Sequence, residues 1–240
     1  MRIRLVCLLA GLMVLPVRAD IVWQDASVTY LNGSNYRVVE PKNQVLTLEH
    51  AAGTTWGDSF LFLDHFRGSA GSRSNYAEWS PRLSLSKLSG SEFKYGVIND
   101  VLLTSTVEMS SIRTNFLYGV ATDLMVPGFK YFKLNFYRRS NDGVADNWQV
   151  TTTWGLPFKL GKMEFLYDGF MDWSSATADQ SASMNFTSQL KWALHPLLDM
   201  KSKLYVGIEY VYWRNKYGIA DSQQFRTHES NLNLLLKAHF

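Results

Sequence analysis

The sequence predicts an all-β protein, a 12-stranded antiparallel up-and-down transmembrane β-barrel of the bacterial outer membrane. Three observations predict it. The chain opens with residues typical of an export signal, and later segments of about ten residues alternate between apolar and polar side chains. The last such segment ends on an aromatic residue, Phe240. Alternation suits a barrel because half of its strand residues face lipid and half face the interior.

The first 19 residues have the parts of a secretory signal peptide. Arg2 and Arg4 give a positive start, residues 5–17 form an apolar run, and the small residue Ala19 favours cleavage before Asp20. The apolar run is too short for a membrane-spanning helix, which needs roughly 20 residues. We therefore expect a signal peptide over residues 1–19 and one outer-membrane β-barrel domain over residues 20–240.

Composition excludes several classes of function for the processed chain. The full sequence has one cysteine, Cys7, and it lies in the predicted signal. The processed chain therefore has no disulfide, no catalytic thiolate and no cysteine-based metal site. Removing Arg2, Arg4 and Arg18 leaves 21 basic residues against 21 acidic ones, a neutral balance that argues against a nucleic-acid partner. The aromatic content of 14% suits a barrel with interfacial aromatic girdles. Neither a cofactor nor a metal is implied.

Eleven segments alternate clearly and are separated by turn residues such as Pro127 and Gly128. In residues 203–214, Leu204, Val206 and Ile208 share one face, a period that a strand produces and a helix does not. Bacterial barrels of this kind have an even number of strands, so residues 21–31 are predicted as the twelfth. The predicted strands are residues 21–31, 44–51, 59–67, 78–88, 96–107, 113–124, 129–139, 147–158, 162–173, 182–193, 203–214 and 231–240. Polar gaps near residues 68–75, 174–181 and 215–227 are predicted extracellular loops.

The end of the chain carries the strongest pattern. Counting back from Phe240, every second position is apolar, at Ala238, Leu236, Leu234 and Leu232. This pattern resembles the assembly signal of outer-membrane barrels, so the barrel assembly machinery and outer-membrane lipid are expected partners. A last strand of this kind closes the sheet against the first and removes both edges. The alternative is a soluble β-sandwich that ends in phenylalanine.

Several motifs together resemble the Tsx-like family of nucleoside-specific outer-membrane channels, which includes the OmpK-type proteins. They begin with EWSPRLS at residues 78–84 and continue in order along the chain. The others are NFY (135–137), NDG (141–143), TWGLPF (153–158), DGFMDW (168–173), GIEY (207–210) and NKYGI (215–219). The resemblance implies a monomeric barrel that passes nucleosides through a narrow lumen and a surface that bacteriophage can use as a receptor. Leu61 stands between Phe60 and Phe62 where the nucleoside-specific branch is expected to have a small residue, so the OmpK-type branch fits at least as well.

Alternate residues along a strand face the lumen, and this alternation, which we call parity, assigns the candidate substrate contacts. Aromatic faces can stack on a flat heterocycle, and carboxylates accept hydrogen bonds from ribose hydroxyls. The candidate substrate-binding residues are Phe60, Phe62, Asp64, Glu78, Arg82, Tyr137, Glu164, Asp168, Phe170 and Glu209. Charges that pair with one another and fill a narrow interior are the alternative reading of the same residues. The predicted function is passive, substrate-selective diffusion of nucleosides or similar small polar molecules.

Two other functions remain open from the residues alone. One is an outer-membrane barrel enzyme acting on lipid, for which His228 beside Thr227, Glu229 and Ser230 is the one local group of suitable types. The common hydrolase motifs are absent from the sequence, so we expect no catalytic residues. The other is a plugged barrel that serves as a surface receptor.

Overall fold

A computed structural model describes residues 20–240 as one closed barrel of twelve antiparallel strands, which confirms the predicted fold class. The predicted signal peptide lies outside the described residues. The strands are β1 Ile21–Gly33, β2 Asn43–Thr54, β3 Gly57–Gly68, β4 Arg73–Ser84, β5 Ile98–Ser110, β6 Thr114–Leu124, β7 Tyr131–Ser140, β8 Asn147–Leu160, β9 Met163–Ser174, β10 Ser183–Ala193, β11 Leu204–Arg214 and β12 Glu229–His239. None of the helical segments within residues 20–240 has the length and hydropathy of a membrane-spanning helix.

Each strand pairs with its sequence neighbours, and β12 pairs with β1 to complete the circle. In the closing pair Leu31 lies opposite Leu235 and Ser27 lies opposite His239. Closure leaves no strand edge unpaired, which a sheet in hydrocarbon requires because lipid offers no hydrogen bonds. Since the strands are even in number and antiparallel, β1 begins and β12 ends at the same end of the barrel. We call this the terminal end and the opposite one the loop end.

The two faces of the sheet have opposite polarity. Along β12, Asn233 is 0% exposed whereas the next residue, Leu234, is 69% exposed. The face that carries the polar side chains is the inner one, because Lys133 on β7 bonds Asp58 on β3 across three intervening strands. Apolar side chains therefore point outward and polar ones inward, the polarity expected of a barrel surrounded by lipid.

The strand boundaries differ from the predicted ones at places that matter for the lumen. The predicted strand 78–88 is wrong at its end, because residues Leu85–Ser89 form a short helix, α1. The Ser84 side chain caps α1 by accepting a hydrogen bond from the Lys87 amide, and Gly90 ends it with a φ of 70°. Conversely, β3 begins two residues early and β5 ends three residues late, so Asp58 and Glu108 join the inner face.

Aromatic side chains lie against glycines of the neighbouring strand on the inner wall. Tyr131 on β7 is paired with Gly155 on β8, and a Cβ added at Gly155 would meet the Tyr131 ring at 2.4 Å. Tyr137 is paired with Gly119 on β6, and its hydroxyl reaches past that strand to lie 3.0 Å from the Thr104 hydroxyl of β5. Gly155 thus leaves room for the Tyr131 ring, and the Tyr137 side chain lies along the inner wall.

We expect Gly155→Val to destabilise the barrel by about 1–3 kcal/mol, because the added methyls overlap the Tyr131 ring. The midpoint of urea unfolding in detergent, followed by tryptophan fluorescence, measures the loss. Adding Tyr131→Ala to Gly155→Val should recover part of it, since the double variant removes the overlapping ring. Strictly additive losses in the double variant would contradict the ring-over-glycine packing.

Candidate functional site in the barrel lumen

At the loop end, the first loop (residues 34–42) folds inward over β12. The Tyr36 hydroxyl donates to Asn233 at 2.8 Å, and the Asn35 amide donates to the Asn231 side chain at 2.9 Å. Leu31, Val45 and Leu235 pack around the buried Tyr36 ring on the inner face, with Phe66 beside them. The first loop therefore covers part of the loop-end mouth, a feature that sequence alternation could not reveal.

A second loop, residues 215–228, meets the first one at Lys216. Its ammonium donates to Glu229 at 2.6 Å and lies 5.7 Å from the Tyr36 ring centre and 5.3 Å from that of Tyr217. Burial lowers the pKa of Lys216 and raises the pKa of Tyr36. In the same loop, the backbone amides of Thr227 and His228 donate to Asp221 and lower its pKa to about 2. Hydrogen bonds and an ion pair therefore join the two loops and β12 at the loop-end mouth.

Near the terminal end, an ion network crosses the lumen. Arg82 on β4 donates to Asp58 on β3 and to Asp123 on β6, each at 2.8 Å, and Lys133 on β7 donates to Asp58 at 2.9 Å. Arg82 is a predicted site residue, and the structure places it at the centre of this network, which we call the terminal network. Its carboxylates, Asp58 and Asp123, were missed. Asp58 lies outside the predicted strand, whereas Asp123 could have been found by parity.

Three further ion pairs line the wall. Lys237 pairs with Glu49, Lys191 with Asp168 at 2.6 Å, and Arg139 with Glu108 at 2.5 Å. Asp168, a predicted contact, is therefore held by a lysine. Sequence reasoning overlooked Lys191 although it lies within a predicted strand, where parity alone places it on the inner face.

Besides Asp100, which the hydroxyls of Ser84 and Ser86 hold near the terminal end, four inner carboxylates take part in no ion pair among residues 20–240: Asp64, Glu78, Asp172 and Glu209. We call them the unpaired carboxylates. Each accepts hydrogen bonds from neutral groups: Asp64 from Thr47, Glu78 from Tyr76, Asp172 from Thr151, and Glu209 from Gln189 and Asn233. Three of the four are predicted site residues. A carboxylate has about four acceptor positions, so each retains capacity for a further donor.

Aromatic rings lie beside these carboxylates on β3 and β4. The ring centres of Phe60 and Phe62 are 6.1 Å apart, and those of Phe62 and Tyr76 are 5.8 Å apart. Phe62 is paired in register with Glu78, and Asp64 with Tyr76, so rings and carboxylates alternate on one wall. Phe170, the remaining predicted aromatic contact on β9, lies on the inner face between Asp168 and Asp172. Leu61 points outward, as parity predicts.

Tyr137 and Glu164 are the two remaining predicted site residues. Tyr137 is only 4% exposed and packs along the inner wall with its hydroxyl between Thr104 and Thr106. Glu164 lies at the terminal rim, where it accepts a hydrogen bond from Lys159 at 2.6 Å and its side chain is 43% exposed. These residues were selected by parity, which fixes the face of a strand but neither depth nor packing.

The residues considered for catalysis do not meet in a catalytic geometry. The His228 Nε2 lies 3.2 Å from the Asn215 side-chain oxygen, and the Thr227 hydroxyl donates to the Ile219 carbonyl. The Ser230 hydroxyl lies 3.1 Å from that of Tyr210, on the outer face. The described part of the chain, residues 20–240, also contains no group of three or more metal-ligating side chains.

The family comparison matches nearly all of this barrel. The model of the family "Nucleoside-specific channel-forming protein, Tsx" matches residues 19–239. Two curated relatives are both outer membrane protein OmpK of Vibrio parahaemolyticus. One is 23% identical over 63% of this chain and 59% of its own length, so that match spans less than two thirds of the relative. The other, from serotype O3:K6, is 22% identical over 78% of this chain and 77% of its own length.

Among solved structures, the KdgM porin resembles the barrel with a TM-score of 0.51 and 12% identity, over 89% of this chain and 99% of the porin. At that identity the likeness concerns the fold alone. The family match, the OmpK relatives and the closed lumen-bearing barrel agree on the compartment and on the broad activity. The chain belongs to the Tsx family of channel-forming proteins and is a β-barrel channel of the bacterial outer membrane.

Proposed function

We propose that the channel passes nucleosides or closely similar small polar solutes that carry a flat ring and several hydroxyls. The observation that carries this proposal is the wall of β3 and β4, where Phe60 and Phe62 alternate with the acceptors Asp64 and Glu78. A base can stack on an aromatic face, a contact worth roughly 1–3 kcal/mol. The ribose hydroxyls can at the same time donate to a carboxylate that has no lysine or arginine partner.

The pairing of the other charges supports passage rather than tight capture. The terminal network and the wall pairs satisfy their charges internally, so they shape the lumen without offering strong sites to an uncharged solute. Several weak contacts in series allow a solute to enter and leave, which diffusion through a channel requires. One copy of the chain closes the barrel, so the lumen is complete in a monomer.

We infer that transport needs no catalytic step. This inference is supported by the positions of His228, Thr227 and Ser230, which bond to other groups rather than to one another. An anionic solute such as an acidic sugar is disfavoured as the cargo, because the carboxylates that remain unpaired would repel it.

Phe62→Ala is expected to weaken block of the channel by adenosine by roughly tenfold, because it removes one stacking face. The measurement is single-channel current of the purified protein in a planar bilayer, with adenosine titrated in. Phe60→Ala tests the second ring in the same way. Leu61→Ala is the matched control, since Leu61 and Phe60 are each 40% exposed but Leu61 lies on the opposite face of β3 from both rings. Equal adenosine block in Phe62→Ala, Phe60→Ala and the control would remove these rings from the substrate path.

Arg82→Ala is expected to raise single-channel conductance by about twofold or more, because ion flow is limited by the narrowest charged ring. The substitution removes the side chain that joins Asp58 to Asp123 across the lumen. Arg67→Ala, on the outer face of β3, removes the same charge without touching the lumen. A conductance equal to that of Arg67→Ala would show that the terminal network does not form the constriction.

A further inference from the structure

The lumen holds more carboxyl groups than lysine and arginine side chains to pair with them. Within residues 20–240, six lysine and arginine side chains face the lumen in ion pairs: Arg82, Lys133, Arg139, Lys191, Lys216 and Lys237. Their partners are Asp58, Asp123, Glu108, Asp168, Glu229 and Glu49. The unpaired carboxylates have no basic partner. They lie on strands β3, β4, β9 and β11, so the unpaired carboxyl groups are spread around the wall.

Glu78 shows how the excess arises at one position. It lies directly opposite Glu108 in the β4–β5 register, and like charges in that position repel each other. Arg139 donates to Glu108 and to the Gln149 side chain, but not to Glu78. Glu78 accepts one hydrogen bond, from the Tyr76 hydroxyl at 2.5 Å, so no cationic side chain among residues 20–240 is bonded to it.

Asp172 and Asn135 supply a second set of acceptors on the other wall. Asp172 accepts from the Thr151 hydroxyl at 2.5 Å, and Thr151 is paired in register with Asn135 on β7. Asn135 is 5% exposed, yet its inward side-chain oxygen has no hydrogen-bond partner in the described structure. A buried amide oxygen without a donor is unfavourable, and a ligand N–H would satisfy it.

We propose that this part of the lumen binds small cationic amines, and that the channel consequently passes cations in preference to anions. An ammonium group has three N–H donors and a full positive charge, which complements Glu78, Asp172 and the free oxygen of Asn135. The proposal deepens the proposed function, because a nucleobase that bears an exocyclic amine would present its N–H groups to the same acceptors. It adds a charge preference that an uncharged nucleoside does not require.

The first test is the reversal potential of the purified wild-type channel in a planar bilayer under a KCl gradient at mildly alkaline pH. We expect the sign that denotes cation preference, and spermidine should block the current in a saturable way. The double variant Glu78→Gln, Asp172→Asn should shift the reversal potential toward zero and weaken spermidine block by about tenfold. Asn135→Leu should weaken spermidine block while leaving the reversal potential unchanged, since it removes an acceptor and no charge.

The control is Glu92→Gln, which removes one carboxylate charge, against two in the double variant, at an exposed position between α1 and β5. A wild-type reversal potential near zero or on the anion side overturns the proposal whether or not any variant assembles. Spermidine block that is equal in the double variant and in Glu92→Gln also overturns it. Adenosine titration separates the two proposals. Cation preference without adenosine block would contradict the nucleoside proposal alone. Adenosine block without cation preference would contradict the cationic-amine proposal alone.

Discussion

A chain that crosses lipid must satisfy every backbone hydrogen bond within itself, and closure of β12 against β1 is how this chain does so. Closure has a second consequence. It forces alternate side chains into an interior where polar groups must find partners in one another, in water or in a solute. The contrast between the buried Asn233 and the exposed Leu234 on one strand is the direct result. The function of the channel depends on how that interior is satisfied.

The interior divides into charges that are satisfied and charges that are not. Arg82 and its partners form a network that crosses the lumen near the terminal end, and Lys237 with Glu49 joins β12 to β2 across β1. These contacts are structural, because removing one partner would leave a buried charge alone. Glu78 and Asp64 differ, since neutral hydroxyls are their partners in the described structure. Charge pairing thus separates wall-forming residues from candidate solute contacts within one set of lumen side chains.

Much of the fold could be predicted from the sequence, because alternate residues of a barrel strand face lipid and the interior and therefore alternate between apolar and polar. The run that ends at Phe240 indicated both the fold and the closing strand. The boundaries were harder, since the helix at Leu85–Ser89 follows a strand without any break in its apolar content. Errors of two or three residues at strand ends then left Asp58 and Glu108 outside the lumen, although both hold arginines there.

The candidate site was predictable in its face but not in its contacts. Parity placed Phe60, Phe62 and Glu78 on the inner wall, yet it could not show that Tyr137 lies flat along that wall. Pairs such as Glu49 with Lys237 join residues 188 positions apart, and no local pattern encodes them. The inward fold of the first loop depends on Tyr36 reaching Asn233, another contact that exists only once the barrel has closed.

The central claim is that unpaired carboxylates beside exposed rings select uncharged or cationic ring-bearing solutes. The most direct measurement compares the swelling rates of liposomes that contain the purified protein in adenosine and in adenosine monophosphate. The two solutes share base and ribose and differ by one phosphate group. Rapid swelling in adenosine with little in the monophosphate is the predicted result, and equal rates for the two would contradict the account.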